Sequence, residues 1–117
     1  MKYSDRERAQ IILNYAEKLL SCMAGRHISR EDLLKDYAVQ WLVSTPVILI
    51  GEQAYKLSQG YKDDHPGIAW GAVADFRHWR FQDEDEIDWN VRAEVLFDDL
   101  PVLTEQIRAL LLEERQA

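Results

Sequence analysis

Apolar positions recur along the chain at intervals of three and four residues and almost nowhere alternate, which predicts helix throughout. Ile11, Ile12, Tyr15, Leu19, Leu20 and Met23 form the first stripe. It opens on the capping-box pattern Ser4–Asp5–Arg6–Glu7 and closes at Gly25. Ser29, with Asp32 three residues on, starts a second helix whose stripe runs through Leu33, Leu34, Tyr37, Trp41 and Leu42 to Leu57, with Gly60 as its stop. Pro46 has no amide donor, and its ring crowds the carbonyl of Leu42. The pattern therefore predicts a bend in one long helix there, the alternative being two helices that meet near Thr45.

Residues 60–67, GYKDDHPG, carry turn chemistry and predict a loop. A third helix is expected from about Ile68 through Arg80, then a connection over the acidic segment 83–88, with Asp88 capping the next helix. Asp98–Asp99–Leu100–Pro101 predicts a break and restart, because a proline is tolerated in a first helical turn. Val102, Leu103, Ile107, Leu110 and Leu111 supply the last stripe. The expected fold is all-α, an antiparallel bundle of four or five helices, in one domain spanning residues 1–117.

Composition narrows the function more than the fold. Twenty-one acids against 14 bases give a net charge of −7, a field that opposes a polyanion and favours solubility or a partner with a basic surface. No apolar run approaches the roughly 20 residues of a membrane span, and the start MKYSDRERAQ has no apolar signal core, so a cytoplasmic protein is expected. The single cysteine, Cys22, lies in an apolar stripe and reads as a small buried hydrophobe rather than a nucleophile. Trp41, Trp70, Trp79 and Trp89 are many for 117 residues; the core accounts for most, and one or two are candidates for a subunit interface.

Three stretches together resemble the HepT-like family of HEPN proteins, partners of minimal nucleotidyltransferases. ILIGEQAYKLS, residues 48–58, is similar to the family's I-I-G-E-A-A-K-x-L-S helix. HPGIAWGAVADFRHW, residues 65–79, resembles its P-x-I-P-W-x-x-I-x-x-x-R-N segment, and VLFDDLPVLTEQI, residues 95–107, its N-D-L-P-x-L-x-x-Q-I ending. No gap is needed between Arg77 and Pro101. The resemblance implies a homodimer of helical subunits with the active site at the dimer interface. It also implies the activity of a toxin that cleaves RNA without a metal, through the signature R-x4-H-x-Y, and that a nucleotidyltransferase antitoxin silences by attaching AMP to the tyrosine.

Laid on this chain, the signature keeps Arg77 but puts Gln82 in the histidine position and Glu84 in the tyrosine position. His78 falls on the small polar residue that follows the arginine. Histidine serves such chemistry because its pKa of about 6.5 lets it take and return protons near neutral pH. Glutamine cannot, and general acid–base work contributes roughly 10²- to 10⁴-fold. A carboxylate at position 84 likewise offers no phenol for AMP. Asp83, Glu84, Asp85, Glu86 and Asp88 add charge that opposes a phosphate, with Arg77 and Arg80 placed to pair with them.

The expectation is a degenerate site on a dimeric interaction module, whether or not a nucleotidyltransferase is its partner, with no cofactor. In the alternative, an active RNA endonuclease uses Arg77 with His78 as a displaced acid/base. Adjacent helical residues point about 100° apart, so that pair needs help from a second subunit. The acidic run lacks the glycine-centred D-x-[DN]-x-[DN]-G loop of an EF-hand, and His27, His65 and His78 show no zinc-ligand spacing, so no metal is expected.

Overall fold

The computed structural model describes residues 2–81 and 84–116, the side chains of residues 80, 81 and 84 aside. Seven α-helices follow one another: α1 (Asp5–Gly25), α2 (Arg30–Lys35), α3 (Tyr37–Lys56), α4 (Gln59–Asp64), α5 (Trp70–Ala74), α6 (Trp89–Glu94) and α7 (Leu100–Gln116). A 3₁₀ segment, Asp75–Phe81, continues α5, and a second 3₁₀ turn covers Glu84–Glu86. One wide π-turn, Val95–Asp99, joins α6 to α7. The described residues contain no strand.

α1 begins as its sequence dictates. The Ser4 hydroxyl accepts from the Glu7 amide at 3.1 Å, and Glu7 accepts from the Ser4 amide at 2.9 Å. Its end is less expected. Gly25 is the last helical residue, but the left-handed position belongs to His27, at φ 54°. The amides of His27 and Ile28 donate back to the carbonyls of Ala24 and Met23, closing a Schellman turn on a residue that has a Cβ.

The second predicted helix divides, though not where proline suggested. Pro46 lies inside an unbroken α3, so the alternative junction near Thr45 does not form. The break falls ten residues earlier, at Asp36, whose extended backbone (φ −103°, ψ 107°) ends α2. Its carboxylate accepts from the Ala38 amide and starts α3. An aspartate that can cap itself offers the chain an exit from helix, and an apolar stripe does not register this.

Downstream, part of the expected loop is helical. Ser58 caps α4 by accepting from the Tyr61 amide, so helix resumes where Gly60 had suggested a stop. The break expected at Asp98–Pro101 is likewise absent: Leu100 and Pro101 continue directly from the π-turn. Pro101 cannot donate to the carbonyl four residues back, and the wide turn shifts the hydrogen-bond register at that point. Asp88 does cap α6, accepting from the amides of Asn90 and Val91.

Side-chain pairs fix the directions. Asp5, at the start of α1, accepts from the amide and hydroxyl of Ser58, just past the end of α3. Arg6 lies 3.9 Å from Glu114 and Glu17 lies 3.5 Å from Arg108, so α7 also runs antiparallel to α1. Ile12, Leu33, Val43, Val47, Ile50, Leu96, Leu100 and Ile107 are fully enclosed in one apolar core shared by α1, α2, α3, the π-turn and α7. No helix among the described residues is long and apolar enough to cross a membrane.

Candidate functional site

The segment that carries Arg77 is positioned by a glycine. A Cβ placed on Gly51 of α3 would lie 2.3 Å from the Arg77 amide nitrogen and 2.8 Å from the Phe76 carbonyl carbon. Both are backbone atoms and cannot swing aside. The glycine of the IGE stretch therefore lets α3 and the Asp75–Phe81 segment cross almost backbone to backbone.

The tight winding then sorts the side chains. In a 3₁₀ helix, residues three apart eclipse one another. Phe76 and Trp79 meet edge to face, with ring centroids 5.9 Å apart, and pack against the core. Asp75 and His78 share the wall of a hollow bounded also by Trp79, Glu86, Asp88 and Arg92. Arg77 turns to α3 instead. Its guanidinium lies 4.0 Å from the centre of the Tyr55 ring, donates to the Ala74 carbonyl at 2.6 Å, and stands 3.8 Å from Asp75. Arg77 thus turns to the ring of Tyr55 while His78 lines the hollow, with Asp75 adjoining both.

Gln82 lies outside the described residues, as does the side chain of Glu84. The acids expected to pair with Arg77 are those that follow it. Its nearest carboxylate among the described residues is Asp75, two positions before it. Among the described residues, no group of three or more acids, histidines or cysteines could hold a metal ion.

Sequence reasoning missed the arginine with the more restrictive setting. Arg92, on α6, is 5% exposed and sits between two tryptophans, its guanidinium 4.3 Å from the Trp79 ring centre and 4.8 Å from that of Trp89. It donates to the Trp79 carbonyl at 3.0 Å, and burial pushes its pKa below the usual arginine value. A planar cation that stacks on both faces and still donates in its plane suits this slot in a way lysine does not. The i, i+3 spacing of Trp89 and Arg92 was a legible signal; Trp79, thirteen residues away, was not.

The remaining candidates sort by exposure. Trp70 is buried, its indole donating to the His65 carbonyl at 3.0 Å, while Trp41 is 67% exposed. Trp41 meets Tyr37 edge to face, and Leu34 and Leu42 are also exposed near the α2–α3 junction. Cys22 is half-buried rather than buried, so its reading as an enclosed small hydrophobe holds only in part.

The comparisons with known proteins agree with this framework. A curated protein of Caldanaerobacter subterraneus subsp. tengcongensis, named as a candidate RNase, is 24% identical over 104 residues, covering 89% of this chain and 91% of that one. No solved structure matches the chain. The family model described as "Ribonuclease HepT-like" matches residues 12–110, a span that contains the Gly51 crossing, Arg77 and the π-turn. The chain belongs to the HepT-like ribonuclease family.

Proposed function

We propose that this protein is a catalytically degenerate HepT-like subunit, a cytoplasmic, single-domain, dimeric interaction module in or beside a toxin–antitoxin system. The observation that carries the reading is Gln82 at the position where the R-x4-H-x-Y signature has its histidine. A carboxamide does not exchange protons near neutral pH, so the 2′-hydroxyl of RNA has no base at that point. The remaining arginine supports the same view. Arg77 is engaged by Ala74, Asp75 and Tyr55, and the neighbouring hollow holds three carboxylates, a poor setting for a phosphate. The exposed Tyr37–Trp41 pair, with Leu34 and Leu42 also exposed near the α2–α3 junction, supports a second copy as the dimer partner. A minimal nucleotidyltransferase remains the partner that family membership suggests, although Glu84 gives it no phenol to modify.

A metal-free ribonuclease assay tests the reading. The unmodified protein is expected to leave RNA intact, and the Gln82→His/Glu84→Tyr double variant to gain about 10²-fold or more in cleavage rate. Robust cleavage by the unmodified protein rejects it. A second reading rests on the shared wall of His78 and Asp75, a carboxylate suited to orient an imidazole that acts as displaced acid/base. Cleavage that is lost in His78→Ala but kept in Gln82→Ala identifies that case.

A further inference from the structure

Two hollows share a wall residue where the 3₁₀ segment and the π-turn come together. The first, of about 440 Å³, lies between α5 and the start of α7. Ala69 and Ala72 form one wall, Val102 and Leu103 the other, and Phe76 lies at its base. Its polar groups are few: Asp99, and Gln106, whose amide donates to the Gly67 carbonyl. The second, of about 470 Å³, is the hollow of Asp75, His78, Glu86, Asp88 and Arg92. Val95, the first residue of the π-turn, belongs to both walls, so an apolar trough runs into one bordered by three carboxylates.

We propose that this double trough is a docking site for a basic amphipathic helix of another protein, with apolar anchors between α5 and α7 and lysine or arginine side chains at Asp75, Glu86 and Asp88. Small residues on one wall admit a helix closely, and aliphatic residues on the other exclude water around its anchors. The occupant's charge follows from complementarity. No lysine or arginine lines the apolar hollow, Arg92 in the acidic one lies against the rings of Trp79 and Trp89, and the chain carries −7 overall, so the three carboxylates disfavour a second copy of the same protein. A second copy has a separate apolar surface available at Tyr37 and Trp41. The proposal rests on the interaction-module reading, whose partner it describes by chemistry, and it does not depend on whether RNA is cut.

The probe is a helical peptide of leucine and lysine with one apolar stripe, compared with its leucine–glutamate counterpart, by calorimetry on the full chain. The lysine peptide is expected to bind saturably at one per subunit, and the glutamate peptide not to bind. Ala72→Trp fills the apolar hollow and should weaken binding about tenfold or more. Glu86→Gln/Asp88→Asn, which keeps an N-cap residue on α6, should weaken it severalfold, and Glu113→Gln should change nothing. Equal binding by a folded Ala72→Trp variant, or an equal loss in Glu113→Gln, overturns the proposal as mere charge attraction. So does a dimer that dissociates in Ala72→Trp, which gives the trough to a second copy. The ribonuclease assay on the same preparation separates the two ideas: cleavage refutes the catalytic degeneracy of the site, and peptide binding decides the trough.

Discussion

Arg77 of the signature and Arg92 of α6 are held in opposite ways. Arg77 faces α3 across the Gly51 crossing, where the two backbones meet closely and the side chain lies over Tyr55, a ring 58% exposed. Arg92 faces the other side, enclosed between two indoles and bonded to the Trp79 carbonyl. One arginine is left partly available by a rigid backbone; the other is spent on making the backbone rigid. Retaining a motif arginine therefore says little about catalysis, because its neighbours decide whether it meets solvent, a ring or a carbonyl.

The contrast can be broken at the glycine first. Gly51→Ala drives a methyl into backbone that cannot yield, and should destabilise the protein by about 3 kcal/mol, read as a lower urea midpoint. A near-neutral result means the crossing relaxes and the glycine does not position Arg77. Arg92→Met comes next. It leaves the Trp79 carbonyl without its donor and the indoles without the cation, with an expected cost of about 2 kcal/mol and an altered near-ultraviolet circular dichroism from the two tryptophans. Arg92→Lys should recover little of it, since an ammonium cannot lie flat between two rings.

Smaller effects sharpen the picture. His27→Gly relieves a left-handed residue and should stabilise the chain by about 1 kcal/mol, visible as a higher melting temperature without effect on either arginine. Tyr55→Ala removes an exposed cation–π contact and should cost only about 0.5 kcal/mol, since the Ala74 carbonyl and Asp75 still engage Arg77. The smallest effect concerns acid. The Ser58 hydroxyl and amide hold the Asp5 carboxyl below its usual range, and the Ser4 amide and hydroxyl do the same for Glu7. Groups lowered on folding stabilise fully above their unfolded values of 3.8 and 4.5, and that contribution is lost as pH falls through the lower folded values. Ser58→Ala should flatten the acid side of the stability profile where the parent declines, as followed by denaturant titration between pH 5 and about pH 2.

Part of this molecule was legible from the chain alone because its causes are local. The Ser4 capping box, the Asp88 cap and the first and last apolar stripes depend on residues a few positions apart and form as their spacing predicts, but in the second stripe Leu34, Tyr37, Trp41 and Leu42 are exposed. The degenerate signature is likewise a fact of sequence, since the identity of a side chain limits its proton chemistry whatever the fold does with it. Where local signals competed, the reading was right at one point and astray at another: helix continues through Pro46, as the favoured reading had it, while an unremarked Asp36 divides the long helix expected from Ser29. The Trp79–Arg92–Trp89 stack, the contact of Gly51 with the Arg77 backbone and the trough spanning α5, the π-turn and α7 were decided only by tertiary structure. Each brings together groups from separate helices, and the relative placement of helices is set by the packing of the whole core, which no short window of sequence contains.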